Sequence, residues 1–254
     1  MGRIVAIVNQ KGGVGKSTTA VNLGAYMAMA GKRVLLVDID PQGNATSGAG
    51  VEKSTIQLSM YDVLLEKAAV SDIIVHTTIA GFHIAPASIA LAGAEIELVS
   101  AISREYRLKN ALSGIQASYD YILIDSPPSL GLLTINGLAA AQGVLIPIQC
   151  EYYALEGLSQ LMQTIEMIRT HLNTQLVVDG VVMTMFDPRN NLSQLVTDDV
   201  RSFFADKVRV FTTVIPRNVR LSEAPSYGMP INLYDDKCRG ALAYRDLAGE
   251  VLSA

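Results

Sequence analysis

The chain has few cysteines, few histidines and no surplus of basic charge. Cys150 and Cys238 lie far apart and form no C-x-x-C pair, which excludes a disulfide framework and a thiolate metal knuckle. They read as reduced structural thiols. His76, His83 and His171 show no metal-ligand spacing. Lys and Arg total 20 against 24 Asp and Glu, a net charge of −4, which argues against a generally basic nucleic-acid binder. The deficit is uneven. Residues 186–254 carry nine basic and nine acidic side chains, whereas residues 1–185 carry 11 and 15, so a local basic patch in the last quarter stays open. No apolar run approaches the ~18–20 residues of a membrane span. There is no internal repeat, low-complexity tract or linker. The N-terminus leads straight into an apolar run without a basic leader or cleavage site, so a cytoplasmic protein is expected.

What is present is apolar alternation. Half of the 254 residues are hydrophobic. Strand patterns fall at 4–8, 33–37, 82–86, 121–124, 144–148, 177–185 and 210–215. Helical patterns fall at 17–30, 60–66, 102–116, 132–141, 154–172, 192–205 and 240–252. Strands that are apolar throughout and alternate with helices predict an α/β fold. The expected architecture is one doubly wound, mostly parallel sheet with helices on both faces, formed by a single domain over 1–254. Ligands of such sheets sit at the carboxyl ends of the strands.

Residues 11–18 read Lys-Gly-Gly-Val-Gly-Lys-Ser-Thr, between the first strand and the first helix. Gly12, Gly13 and Gly15 allow a nest of inward N–H groups that cradles phosphate. Lys16 reaches the β- and γ-phosphates, and the Ser17 hydroxyl suits Mg²⁺. The spacing departs from the common P-loop. Gln10 stands where its first glycine belongs, and a second lysine, Lys11, precedes Lys16 by five residues. Two lysines on so tight a loop repel unless both face anionic oxygens. Taken alone, Lys11 also fits a solvated loop position.

Other candidates follow strands. Asp38 and Asp40 alternate after the second strand, so extended backbone turns both to one side. Asp40 suits the orienting of an attacking water, and Asp38 the support of Mg²⁺ through a water. Asp38 also fits a cap on the next segment. Asp125 ends the run Tyr121-Ile122-Leu123-Ile124 and fits a Walker-B acid near the Mg²⁺ shell. Pro127 and Pro128 stiffen the loop after it. The Pro216 and Asn218 region could frame a nucleobase. Arg189 and Arg220 are loop arginines suited to DNA backbone phosphates, or else ordinary surface residues.

Three segments carry a family resemblance: 11–18, Asp-Ile-Asp-Pro-Gln-Gly-Asn at 38–44 and Ile-Asp-Ser-Pro-Pro at 124–128. They resemble the deviant Walker-A ATPases. Gln149 to Gly157 and the 215–225 segment resemble the ParA/Soj chromosome-partitioning branch, over essentially the full length. Ser17 replaces the threonine frequent there and keeps the hydroxyl. The resemblance implies a P-loop fold that binds ATP and Mg²⁺ at Lys11, Gly12, Gly13, Val14, Gly15, Lys16, Ser17 and Thr18. It implies an ATP-dependent homodimer in which Lys11 reaches the partner's nucleotide. It also implies non-specific DNA binding through Arg189 and Arg220, nucleoid association, and stimulation of hydrolysis by a ParB/Spo0J-type partner. A doubled patch would reconcile DNA affinity with the negative net charge.

Rival readings are a MinD-like membrane-cycling ATPase, a cluster-bearing reductase activator, and a ParA-like ATPase that positions another cargo. The first needs a basic amphipathic C-terminal helix. Here Tyr244, Leu247 and Val251 are interspersed with Arg245, Asp246 and Glu250, which favours packing on the domain and no membrane partner. The second needs cluster-ligating cysteines that Cys150 and Cys238 do not match. Operator-specific repression, which requires an N-terminal DNA-binding extension, is not expected.

Overall fold

The computed structural model describes residues 1–151, 155–205 and 207–253. Its centre is an eight-stranded sheet: β1 (Arg3–Ile7), β2 (Val34–Asp38), β3 (Val75–His76), β4 (Phe82–Ala85), β5 (Tyr121–Asp125), β6 (Gly143–Gln149), β7 (Val177–Phe186) and β8 (Val210–Pro216). The order across it is β3-β4-β2-β5-β1-β6-β7-β8. Every pairing is parallel except β3 with β4. The expected α/β sheet is therefore the observed one, with the two-residue β3 as an addition that no periodicity could announce.

The alternation of strand side chains divides the core between two faces. Ile4, Ala6 and Val8, with Leu35, Val37, Ile122 and Ile124, pack on one side. Leu133, Leu138, Leu161, Ile165 and Val200, from the helices Leu132–Ala140, Glu156–His171 and Asn191–Phe204, cover that side. Val5 and Ile7, with Leu36 and Leu123, pack on the other. There the helices Lys16–Met29 and Arg239–Leu252 cover them, and Tyr244, Leu247 and Ala248 of the latter are buried. The C-terminal helix thus spends its apolar stripe on the sheet.

The helix expected over 102–116 is shorter. Only Arg107–Ser113 is α-helical, flanked by 3₁₀ turns at Arg104–Tyr106 and Gln116–Ser118. Ser103 sits at φ 52, outside the helical region. Asn136 of the neighbouring helix accepts from Leu108 N–H at 3.1 Å and donates to the Arg104 carbonyl at 2.8 Å, so the start is set by a tertiary cap. Short helices at Asn44–Gly48, Val70–Ile73, Leu91–Glu97, Val219–Glu223 and Ile231–Tyr234 were not readable from periodicity. They span one or two turns, too few to show a 3.6-residue repeat.

Gly24 fixes how closely the helix Lys16–Met29 approaches the sheet. A Cβ there would lie 2.6 Å from Phe82 Cε2, and Phe82 is fully buried. Gly24→Ala gains about 1 kcal/mol of helix propensity but overpacks the core by roughly 1–3 kcal/mol. A net loss of stability is expected in denaturant unfolding. Phe82→Leu should offset part of that loss in a double-mutant cycle; strict additivity would show that the two sites do not meet.

Candidate functional site

The parallel sheet brings the acid-bearing strand ends together. Asp38 of β2 and Asp125 of β5 are register partners, and Asp125 is also paired with Ile7 of β1. The glycine-rich loop follows β1 and leads into the helix Lys16–Met29. Gly13 (φ 74) and Gly15 (φ 89) both adopt left-handed backbone, which a side chain would strain. Gly15 is the N-cap and supplies no side-chain hydrogen bond. The first-turn N–H groups are therefore left for an outside acceptor, and the helix dipole makes an anion the favoured one.

A cavity of about 750 Å³ opens at this point. Gly12, Gly13, Gly15, Lys16, Ser17 and Thr18 line one end. Pro216, Arg217 and Asn218 line another, with Asp40 and Pro128 also on the wall. Pro216 and Asn218 are thus brought to the phosphate loop, although some 200 residues separate them in sequence. Asn218 Oδ1 accepts from Arg220 N–H at 2.8 Å and caps the helix Val219–Glu223, a bond that does not use its amide nitrogen.

The charges beneath the loop are buried. Asp38 and Asp125 are fully inaccessible, Asp40 is 5% exposed and Lys16 6%. Asp38 is satisfied: it accepts from Asp40 N–H at 3.1 Å, from Thr46 N–H at 2.8 Å and from the Thr46 hydroxyl at 2.7 Å. Burial still raises its carboxyl to about 6. Asp125 differs. Among the described residues neither of its oxygens has a hydrogen bond of normal geometry, though the Ser17 hydroxyl lies beside it. Burial first, and then the Asp38 charge, push its carboxyl well above the usual carboxylate range. Burial lowers the Lys16 amine, while Asp125 and Asp40 oppose that shift. Asp40 accepts from Gln42 N–H at 2.9 Å, which orders the turn after β2.

The two loop lysines avoid each other by taking separate oxygens. Lys16 Nζ donates to the Lys11 carbonyl at 3.1 Å, whereas Lys11 Nζ pairs with Glu151 at 3.0 Å. Lys11 does not line the cavity. Arg189 and Arg220 lie outside the cavity as well. Arg189 forms a fork on Asp187, both contacts at 3.0 Å, and Arg220 pairs with Glu223 at 2.9 Å and Asp235 at 3.5 Å. Tyr152, Tyr153 and Ala154, within the 149–157 motif, lie outside the described residues.

Sequence reasoning missed several residues that build the site. Asn22 donates to the Thr18 carbonyl at 2.8 Å and accepts from Ile231 N–H at 2.7 Å. Tyr244 lines the cavity and meets the Thr19 hydroxyl at 3.1 Å. Thr184 and Met185 of β7 line it too. None belongs to a phosphate-binding pattern, and each reads locally as an ordinary helix or strand residue.

Among the described residues there is no group of three His, Cys, Asp or Glu side chains suited to a metal ion. Mg²⁺ does not require one, since it takes one or two carboxylates and completes its shell with phosphate oxygens and water. The Ser17 hydroxyl and the unpartnered Asp125 carboxylate fit that donor set.

A strand–glycine loop–helix at the carboxyl end of a parallel sheet, with buried acids at the ends of the adjacent strand β5 and of β2 beyond it, defines a P-loop ATPase. The sequence model of a family described as an AAA domain matches residues 2–178. The chain is 62% identical over 251 residues to the sporulation initiation inhibitor protein Soj of Bacillus subtilis, covering 99% of this chain and 98% of that one. It is 54% identical over 253 residues to the chromosome partitioning protein ParA of Caulobacter vibrioides, covering 99% and 94%. A solved structure of cobyrinic acid a,c-diamide synthase from Mycobacterium smegmatis, with bound ADP and magnesium, superposes with a TM-score of 0.87 at 39% identity, covering 99% and 94%. The chain belongs to the ParA/Soj family of partitioning ATPases. No helix among the described residues is long and apolar enough to cross a membrane.

Asp125→Asn removes an acid whose ionisation burial and the Asp38 charge disfavour in the folded state, so the nucleotide-free protein should gain stability at neutral pH. A rise of a few degrees in melting temperature is expected, with 1 kcal/mol worth about 2–4 °C at this size. The same variant should lose the extra stabilisation that Mg²⁺ adds to ADP. Both effects are read by thermal unfolding with and without Mg·ADP, and an unchanged Mg²⁺ increment would exclude Asp125 from the metal shell.

Proposed function

We propose that the chain is a DNA-partitioning ATPase, working over 1–254 as one domain, that binds ATP and Mg²⁺, dimerises and then engages DNA. The observation that carries this reading is the buried Asp125 carboxylate, unpartnered beneath a phosphate cradle and beside Ser17 and Lys16. A buried charge without a partner is costly, and a ligand-borne cation satisfies it.

In this reading the N–H groups of Gly12 to Thr18 hold the phosphates, and Lys16 moves from the Lys11 carbonyl to the β- and γ-oxygens. Ser17 and Asp125 hold Mg²⁺, which when bound neutralises charge on the leaving phosphates. Asp38 orders the turn through its bonds to Asp40 and Thr46 and supports the metal shell through water. Asp40 orients the attacking water. Pro216 and Asn218 frame the base. Lys11, half-exposed and outside its own cavity, leaves Glu151 for the partner's nucleotide in the homodimer. Arg189 and Arg220 contact DNA phosphates without sequence preference. Their intramolecular pairs are exposed, and such pairs are worth only about 0–1 kcal/mol, so exchange for phosphate costs little. A ParB-type protein stimulates hydrolysis and releases the DNA, which places the working protein on the nucleoid in the cytoplasm. The high identity to proteins named Soj and ParA supports chromosome partitioning over membrane cycling or another cargo.

Asp40→Ala should bind a non-specific DNA duplex tightly with ATP and weakly with ADP or no nucleotide, because it loads ATP but does not turn it over. Measured by fluorescence anisotropy, binding in no state would redirect the reading toward liposomes. In the Asp40→Ala background, Arg189→Glu and Arg220→Glu should each weaken DNA binding at least tenfold while ATP-dependent dimers persist in sedimentation. The dependence of log affinity on log salt should also become shallower, by about 0.9 per lost phosphate contact. Unchanged affinity in both variants would move the DNA surface elsewhere.

A further inference from the structure

We infer that Thr184 is a positioning residue for nucleotide binding, acting through the Val14 carbonyl. Thr184 is 2% exposed and stands near the end of β7, far from the glycine-rich loop in sequence. Its hydroxyl donates to the Val14 carbonyl oxygen at 2.8 Å. Its own carbonyl accepts from Cys150 N–H at 3.0 Å, so the residue is anchored to the loop on one side and to the end of β6 on the other.

The consequence follows from peptide geometry. The Val14–Gly15 peptide is trans, as are all peptide bonds in the chain among the described residues. In a planar trans peptide the C=O and N–H point in opposite directions. A carbonyl held on the Thr184 hydroxyl therefore fixes the Gly15 N–H on the opposite side of that peptide, and Gly15 lines the cavity in which a phosphate would sit. That N–H has no protein acceptor among the described residues. Gly15 itself is at φ 89, and without a Cβ it offers no steric resistance to rotation of this peptide. The orientation of one cradle amide thus depends on a side chain that no phosphate-binding motif includes.

β7 is shaped to make this contact. Met183 pairs with Val214 and Phe186 with Pro216, so β7 uses one more residue than β8 over the same span. Met185, inside that irregularity, is at φ 52, a conformation costly for a residue with a side chain, and it lines the cavity. A bulge of this kind re-aims neighbouring side chains, and strained backbone of this kind clusters at ligand sites.

The inference rests on the reading of residues 12–18 as a phosphate cradle. The test is equilibrium binding of Mg·ADP to the full chain, by calorimetry, for the wild type, Thr184→Val and Thr184→Ser, with thermal unfolding of each in the absence of nucleotide. Thr184→Val keeps the shape and removes the donor, leaving a buried carbonyl unpaired and the peptide free to turn. It should bind ADP about 5- to 30-fold more weakly. Thr184→Ser, which keeps the hydroxyl, should stay within about twofold of wild type. Equal ADP affinity in Thr184→Val and wild type would overturn the inference, whatever happens to the melting temperature. Equal loss in Thr184→Ser and Thr184→Val would overturn it also, because the hydroxyl would then not be the cause. If Thr184→Val does not fold, Thr184→Ala carries the same comparison. A wild-type chain that binds no ADP would instead sink the cradle reading itself, a result distinct from the other two.

Discussion

Two carboxylates of like charge, on adjacent strands and with no access to water, are the constraint around which the rest of this molecule is arranged. Asp38 and Asp125 face the same register position in neighbouring parallel strands. Their repulsion and desolvation are relieved in opposite ways. Asp38 is enclosed by three donors from its own turn and from Thr46. Among the described residues Asp125 has no hydrogen-bond donor of normal geometry, with the Lys16 charge and Ser17 hydroxyl beside it. A fold that satisfied both acids would be a more comfortable protein and a worse metal site. Burial without a partner is what makes a cation and its attached phosphates a stabilising ligand.

The remainder of the fold keeps that arrangement rigid. Both faces of the sheet are covered, so the strand ends cannot relax toward solvent, and the side chains of β1 alternate between two separate apolar layers. The helix after the glycine loop is drawn tightly against the sheet at Gly24 and Phe82. It is tied to the C-terminal helix through Thr19 and Tyr244, and to the segment at Ile231 through Asn22. The C-terminal third therefore serves the phosphate loop directly, which explains why residues around 216–218 complete a cavity begun near residue 12.

The cations proposed for intermolecular contacts share one property. Lys11, Arg189 and Arg220 each have an intramolecular carboxylate partner, and each pair is substantially exposed. Water-screened pairs hold a side chain in place without binding it strongly. Such residues are free to exchange onto another anion, as the proposed dimer and DNA contacts require, whereas Lys16, buried and desolvated, is held at the loop.

How much of this was legible in the sequence depends on the range of the interactions. Apolar runs alternating with helical periods were enough for the parallel sheet, because a strand buried on both faces must be apolar along its length. The glycine pattern at 12–15, the acids after two strands and the lysine at 16 were legible for the same reason: phosphate chemistry demands those types at those spacings within a few residues of chain. The helix start at Arg107, capped by Asn136, was not legible, nor was the β3 edge strand. The same holds for the contact of Thr184 with Val14, the enclosure of Asp38 by Thr46, and the pairing of Lys11 with Glu151. Each is a hydrogen bond or ion pair between residues whose proximity no local pattern encodes. Local spacing determined which atoms could hold a phosphate and where along the chain they lie. Only the packed tertiary structure decided which of those atoms are buried, which have partners, and which are left waiting for a ligand, because burial and pairing are set by neighbours in space.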